Sequence, residues 1–188
     1  IFPSALTGPE AEIVIPKEET RPDFEGEVAV VIGKKVYRAD WQKAREAVGA
    51  ITAFNDVSGR RAQLETPLRQ FTLGKSFDTF APMGPCLRRA KDLDLADIRL
   101  RTTLSGEVMQ EASTKEMIFS IEELIMYCSR GMTLYPGDVI ATGTPGGVGD
   151  SRQPPRYLKE GDVLEVWVEH VGTLRNRVVR EREGGKKS

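Results

Sequence analysis

The sequence predicts an α+β domain dominated by strands, with few helices. Two observations carry that prediction. Runs such as "VAVVI", "IRLRTTLSGEVMQ" and "GDVLEVWVEHVGTLRNRVV" read as strands separated by turn residues, and only two segments place apolar residues at helical spacing behind a capping side chain. The first strand covers residues 27–32. The following "GKK" reads as a turn and "VYR" as a returning strand, so the pair predicts a hairpin. Asp40 then suits an N-cap, and Trp41, Ala44, Val48 and Ile51 recur near helical spacing through "DWQKAREAVGAITAF", which predicts an amphipathic helix. The second helix has a sharper start. In "SIEELIMYCSRG", Ser120 and Glu123 form a capping box, Ile121, Leu124, Ile125 and Cys128 share a face, and Gly131 supplies the stop. Between the helices, "IRLRTTLSGEVMQ" alternates like a strand entering a turn. After the second helix come a turn, a short apolar strand and a glycine-rich loop in "LYPGDVIATGTPGGVG", then a final pair of strands.

The chain has 188 residues, enough for one domain with its own core, and no repeat or composition shift divides it. The expected division is one domain over 1–180 followed by a charged, frayed tail, 181–188. A net charge of −1 with scattered lysines and arginines argues against nucleic acid as a partner. The longest apolar stretch is too short to cross a bilayer, and the first residues lack a basic-then-apolar signal pattern. Cys86 and Cys128 have no metal-ligand spacing and read as reduced core thiols, so the expected location is cytoplasmic.

Within "DFEGEVAVVIGK", Glu25 and Glu27 stand two apart at the mouth of an apolar run. A strand turns residues i and i+2 to one face, so these carboxylates lie side by side and repel unless a proton or a cation sits between them. Asp56, expected just past the first helix, stands in a polar segment with Arg60, Arg61 and Gln63. Two glutamates and an aspartate offer three hard oxygen donors, which suit Mg2+ or Mn2+ and leave positions open for water or substrate. From spacing alone, solvated surface charges are the competing reading.

The ordered motifs "DFEGEVAVVIGK", "NDVSGRRAQ", "LGKSFDTFAPMGP", "MIFSIEELIMYCSRGMTLYPGDVIATGTPGGVG" and "LKEGDVLEVWVEHVGTLRNRVV" resemble the fumarylacetoacetate hydrolase family over nearly the whole chain. The resemblance implies a β-rich sandwich roll of mixed sheets, a homodimer, and a divalent metal on the E-x-E pair and the later aspartate, here Glu25, Glu27 and Asp56. It also implies that Arg60, Gln63, Lys75 and Thr144 contact the substrate. Where the family commonly has an Arg-Asp pair, this chain has Arg60 and Arg61. The family's N-terminal region, which carries a mobile lid with a proton-transferring histidine and glutamate, would precede "PSALTGP"; here only "IF" stands before it. The sole histidine, His170, is expected on a late strand in alternation with Val166 and Val168, and reads as a structural or surface residue.

A 2-oxo acid chelates a metal through its keto and carboxylate oxygens, and the metal then stabilises an enolate. Three carboxylates more than cancel a divalent cation, so a dianionic substrate needs further positive charge, which Lys75 and Arg60 fit. The glycine-rich "GTPGGVG" lacks the lysine and serine or threonine of a P-loop, which argues against nucleotide binding. The expected activity is a metal-dependent reaction of a short 2-oxo or 2-hydroxy-dienoic dicarboxylate, of the 2-hydroxyhepta-2,4-diene-1,7-dioate isomerase or decarboxylase type. Acylpyruvate hydrolysis and oxaloacetate decarboxylation are the enzymatic alternatives, and a metal-binding module without catalysis is the alternative of another class. The apolar "FAPMGP", read as a loop, invites cover by a second subunit.

Overall fold

A computed structural model describes residues 1–65, 67 and 69–182. Twelve strands follow in chain order: β1 (Leu6–Thr7), β2 (Glu12–Ile15), β3 (Pro22–Asp23), β4 (Gly26–Ile32), β5 (Val48–Asn55), β6 (Ser58–Gly59), β7 (Ala81–Arg89), β8 (Arg99–Leu104), β9 (Glu107–Ser113), β10 (Val139–Ala141), β11 (Val163–Val168) and β12 (Gly172–Arg180). The helices are short: α1 (Trp41–Ala47), α2 (Arg60–Leu64), α3 (Phe71–Gly74) and α4 (Ile121–Cys128). One five-stranded sheet runs β1-β7-β5-β4-β10, a second runs β2-β12-β11-β8-β9, and β3 pairs with β6 beside them. Both large sheets are mixed, since β1–β7 and β2–β12 are parallel and their other pairings antiparallel. The α+β class expected from the sequence is therefore the one observed.

The sheets share a core. Val28, Val30, Ile51 and Ala53 of the first sheet pack in one buried cluster with Leu100, Val166, Val168 and Leu174 of the second, and Ala44, Ile121 and Ile125 of the helices close it. Burying these apolar side chains is the main favourable contribution to such a fold. Asp40 caps α1 by accepting from the Lys43 N–H, and Ser120 and Glu123 form the expected capping box on α4. The strand 99–104 enters its turn as expected, with 107–113 returning as a further strand, and the final pair β11–β12 also forms as expected.

Five expectations require correction. The first helix stops at Ala47, and Val48–Asn55 is a central strand instead. Its residues 51–55 are all buried, so no in–out alternation marks the strand, and its apolar residues fit a helix as readily. No hairpin follows β4: the Gly33 N–H donates to the Ala47 carbonyl, Val36 makes only an isolated bridge to Leu134, and β4 pairs with β5 and β10. Gly33 and Gly49 cross so closely that a Cβ on Gly33 would lie 2.6 Å from the Gly49 Cα, and this crossing directs the chain toward α1. "FAPMGP" leads into strand β7 rather than a loop, and His170 is an exposed turn residue at φ 66° between β11 and β12. Cys86 is exposed rather than in the core, while Cys128 is half-buried and packs against the core cluster; both are free thiols. Of the expected charged tail 181–188, the Glu181 N–H donates to Ile15, while 183–188 lie outside the described residues. Among the described residues, no helix is long and apolar enough to cross a membrane.

Candidate functional site

Pairing of β4 with β5 builds the site. Gly26 sits opposite Asn55, the Asn55 side chain accepts from the Glu25 N–H at 3.0 Å, and the Asp56 N–H donates to the Glu25 carbonyl at 2.9 Å. The residues flanking these two strand ends, Glu25 and Asp56, are thereby held side by side, with Glu27 one register step inward. Each of the three offers a carboxylate oxygen, and those oxygens all lie within 4.8 Å of one another. The strand end supplied by β5, rather than a helix terminus, delivers Asp56.

The cluster's electrostatics are those of crowded, buried acids. Glu27 is 2% exposed, and burial, reinforced by the neighbouring Asp56 charge, pushes its carboxyl up to about 8 despite the Gly143 N–H that donates to it at 2.8 Å. Burial also raises Asp56, with the Lys75 ammonium opposing it. Lys75 sits among these acids, 2.8 Å from Glu25 Oε2 and in a short contact with Asp56 Oδ2. Burial pulls its ammonium down, but Asp56 and Glu25 together outweigh that and hold it above the ordinary lysine value. The buried Asp56 Oδ1 has no hydrogen-bond partner among the described residues. A buried unpartnered carboxylate oxygen within a cluster of three converging carboxylates is an arrangement a divalent cation satisfies, so the donor set fits Mg2+ or Mn2+.

The other expected residues gather around this cluster. Arg60 reaches Glu25 Oε1 at 2.7 Å and Asp23 Oδ2 at 2.8 Å, and donates to Gln63 Oε1 at 3.1 Å. Gln63 is fully buried, and its amide nitrogen lacks a partner among the described residues. Thr144, in the glycine-rich loop after β10, donates its hydroxyl to the Gly26 carbonyl at 2.9 Å. As placed it secures the loop, and contact with a substrate requires the hydroxyl to exchange that partner. His170 lies apart in its turn. Asp23 and Gln110, which the sequence reading passed over, both hold this region together. Asp23 stood in the quoted motif as a signal, whereas Gln110 gave none.

Residues 2–179 match the profile of the fumarylacetoacetate (FAA) hydrolase C-terminal family. The chain is 43% identical over 182 residues to a Bos taurus protein named mitochondrial oxaloacetate tautomerase FAHD2A, covering 95% of this chain and 57% of that protein. It is also 43% identical to an uncharacterized protein of Pyrococcus abyssi, covering 95% of this chain and 77% of the relative. A probable 2-hydroxyhepta-2,4-diene-1,7-dioate isomerase from Mycobacterium abscessus superposes with a TM-score of 0.91 at 35% identity, covering 96% of this chain and 68% of that one. A fumarylacetoacetate hydrolase from the psychrophile Exiguobacterium antarcticum gives 0.90 at 40% identity, with 95% and 64% covered. The chain thus spans little more than half the length of the tautomerase it resembles. From a profile that covers almost every described residue, and relatives this similar throughout, the chain belongs to the fumarylacetoacetate hydrolase family of enzymes.

Proposed function

We propose that this chain is the metal- and substrate-binding part of an enzyme that isomerises or decarboxylates a short 2-oxo or 2-hydroxy-dienoic dicarboxylate, and that the metal is Mg2+ or Mn2+. The observation that carries the reading is the convergence of Glu25, Glu27 and Asp56 oxygens within 4.8 Å, with Lys75 lodged among them. A divalent cation held there supplies Lewis acidity to the keto oxygen of a 2-oxo acid. The chain's own groups do the rest. Lys75 spends two of its three donors on Glu25 and Asp56, which leaves one for an anionic oxygen of the substrate. Arg60, anchored by Asp23, adds a second fixed positive charge, and together the two cations stabilise the negative charge that grows on an enolate oxygen. The unpartnered Gln63 amide nitrogen is a donor waiting for an acceptor, which suits a substrate carboxylate. Thr144, held on the Gly26 carbonyl and by Gln110, belongs to the loop that borders the acids.

A second reading is favoured by the similarity to a protein named oxaloacetate tautomerase. Keto–enol exchange of oxaloacetate passes through the same enolate as decarboxylation, and the same cations serve it. The family fold also supports a homodimer, in which exposed apolar residues such as Ile118 and Phe119 would find cover. The function is tested by following turnover of 2-hydroxyhepta-2,4-diene-1,7-dioate and of oxaloacetate with Mg2+, with chelator, and in Glu27→Ala. Conversion that requires Mg2+ and is lost in a folded Glu27→Ala variant is expected. Metal binding without any turnover would instead favour a non-catalytic module.

A further inference from the structure

Gln110 is buried in β9 at 2% exposure, and its amide is fully committed to two segments of the site. Its Oε1 accepts from the Gly26 N–H at 3.0 Å, while its Nε2 donates to Thr144 Oγ1 at 2.7 Å and to the Pro145 carbonyl at 2.9 Å. Backbone partners fix which end is which, because an N–H can only donate and a carbonyl only accept. The Thr144 hydroxyl, already receiving the Gln110 donor, sends its own hydrogen to the Gly26 carbonyl and closes a ring. Gly26 lies between Glu25 and Glu27, so both peptide units that join these two acids are held by one side chain and the loop it carries.

The surroundings leave this ring little freedom. A Cβ on Gly26 would fall 1.9 Å from Thr102 Oγ1 and 3.3 Å from Gln110 Oε1, so the residue between the two glutamates is packed directly against the clamp. On the loop side, a Cβ on Gly147 would fall 2.3 Å from the Met109 carbonyl, and Arg152 donates to that same carbonyl. The pairing of β8 with β9 slips between Thr102 and Thr103, and this bulge lets Met109 and Gln110 both be buried in succession. Bulges beside sites commonly re-aim a side chain in this way.

From this geometry we infer that Gln110 is a positioning residue: through Gly26 it sets the spacing of Glu25 and Glu27, and through Thr144 and Pro145 it fixes the loop against them. The inference rests on the reading that these acids hold Mg2+. Side chains that orient metal ligands without touching the metal typically cost about 10–100-fold in affinity when removed. The test is calorimetric titration of Mg2+ alone, then oxalate into the Mg2+-loaded protein, for the wild type, for Gln110→Met and for Val168→Ala. Met keeps the volume and removes both polar arms. Val168→Ala opens the shared core in β11, and so controls for lost stability. Gln110→Met is expected to raise the Mg2+ Kd by about 10-fold or more, whereas Val168→Ala leaves it within about twofold even when its melting temperature falls as far. A folded Gln110→Met variant with wild-type Mg2+ affinity overturns the inference and leaves the proposed function standing. Absence of Mg2+ binding in the wild type removes both. Should Gln110→Met fail to fold, the near-isosteric Thr144→Val opens the ring at its hydroxyl; a rise in Mg2+ Kd of about two- to tenfold supports the clamp, and an unchanged Kd rejects it.

Discussion

Metal binding should expel a proton from Glu27, whose carboxyl is held well above the ordinary range. A carboxylate must be ionised to coordinate a cation, yet the Glu27 carboxyl is held up to about 8 by burial and by Asp56. At pH 7 such a group is about nine-tenths protonated in the metal-free protein, so Mg2+ uptake releases about 0.9 proton; at pH 9 the release falls to about 0.1. The same linkage makes the apparent Mg2+ affinity climb about 50-fold between pH 6 and 8 and level off above that. Lys75 does not contaminate the count, because its ammonium lies above the ordinary lysine value and stays charged throughout this range. Calorimetric titration of Mg2+ at pH 7 in buffers of different ionisation enthalpy reads the proton number from the slope of apparent heat against buffer heat. A slope near zero, or an affinity independent of pH between 6 and 8, would refute the argument that Glu27 is a protonated ligand in waiting.

The same acid makes the metal-free fold sensitive to base. Its folded value lies above the ordinary 4.5, so the folded state binds the proton more tightly; the associated stability is complete below about pH 4.5 and is lost as pH rises through about 8. Thermal melts should therefore show Glu27 weakening the apo protein by on the order of a few kcal/mol across that window, with saturating Mg2+ reversing the trend; a Glu27→Gln variant that keeps the full slope would contradict it. Lys75→Met should lower oxalate affinity for the Mg2+-loaded protein by about 10-fold or more, while Mg2+ itself binds at least as well because a competing cation has left Glu25 and Asp56. Unchanged oxalate affinity would take Lys75 out of the site. Sedimentation should find a dimer at micromolar protein, and a monomer alone would reject the proposed assembly.

The parts of this site that the sequence made legible are those whose signals are local. Ser120 and Glu123 announced α4 because a capping box lies within four residues, and Glu25 and Glu27 declared a shared face because strand geometry repeats every two. Asp56 stands among the candidate ligands in the sequence, but its run reads as the end of a helix rather than of a strand. The run Val48–Asn55 is buried on both sides of a central strand, so its apolar spacing fits a helix equally well until β4 and β7 are in place beside it. Gln110 was invisible for a different reason. Strict alternation along β9 cannot bury both Met109 and Gln110, and only the slip in register at Thr102 does so, which is a property of two strands together and of neither alone.

The opening motif also holds a third acid whose role differs from its neighbours'. Asp23, fully buried, accepts from the Phe24, Gly149 and Asp150 N–H groups and from Arg60, so its charge is satisfied without a metal. Glu25 faces Lys75 and Arg60, and Glu27 accepts from Gly143. Three acids at alternate positions thus divide the work. Asp23 fastens the far end of the glycine-rich loop and Glu27 the near end, while Glu25 draws in both cations. The loop that carries Thr144 is consequently tied to the acidic segment at both ends, and Gln110 ties it in between. On the proposed reading, a substrate meets Lys75 and Arg60 already anchored by Glu25, Asp56 and Asp23, and such preorganisation lets their charges act with little rearrangement of the two cations.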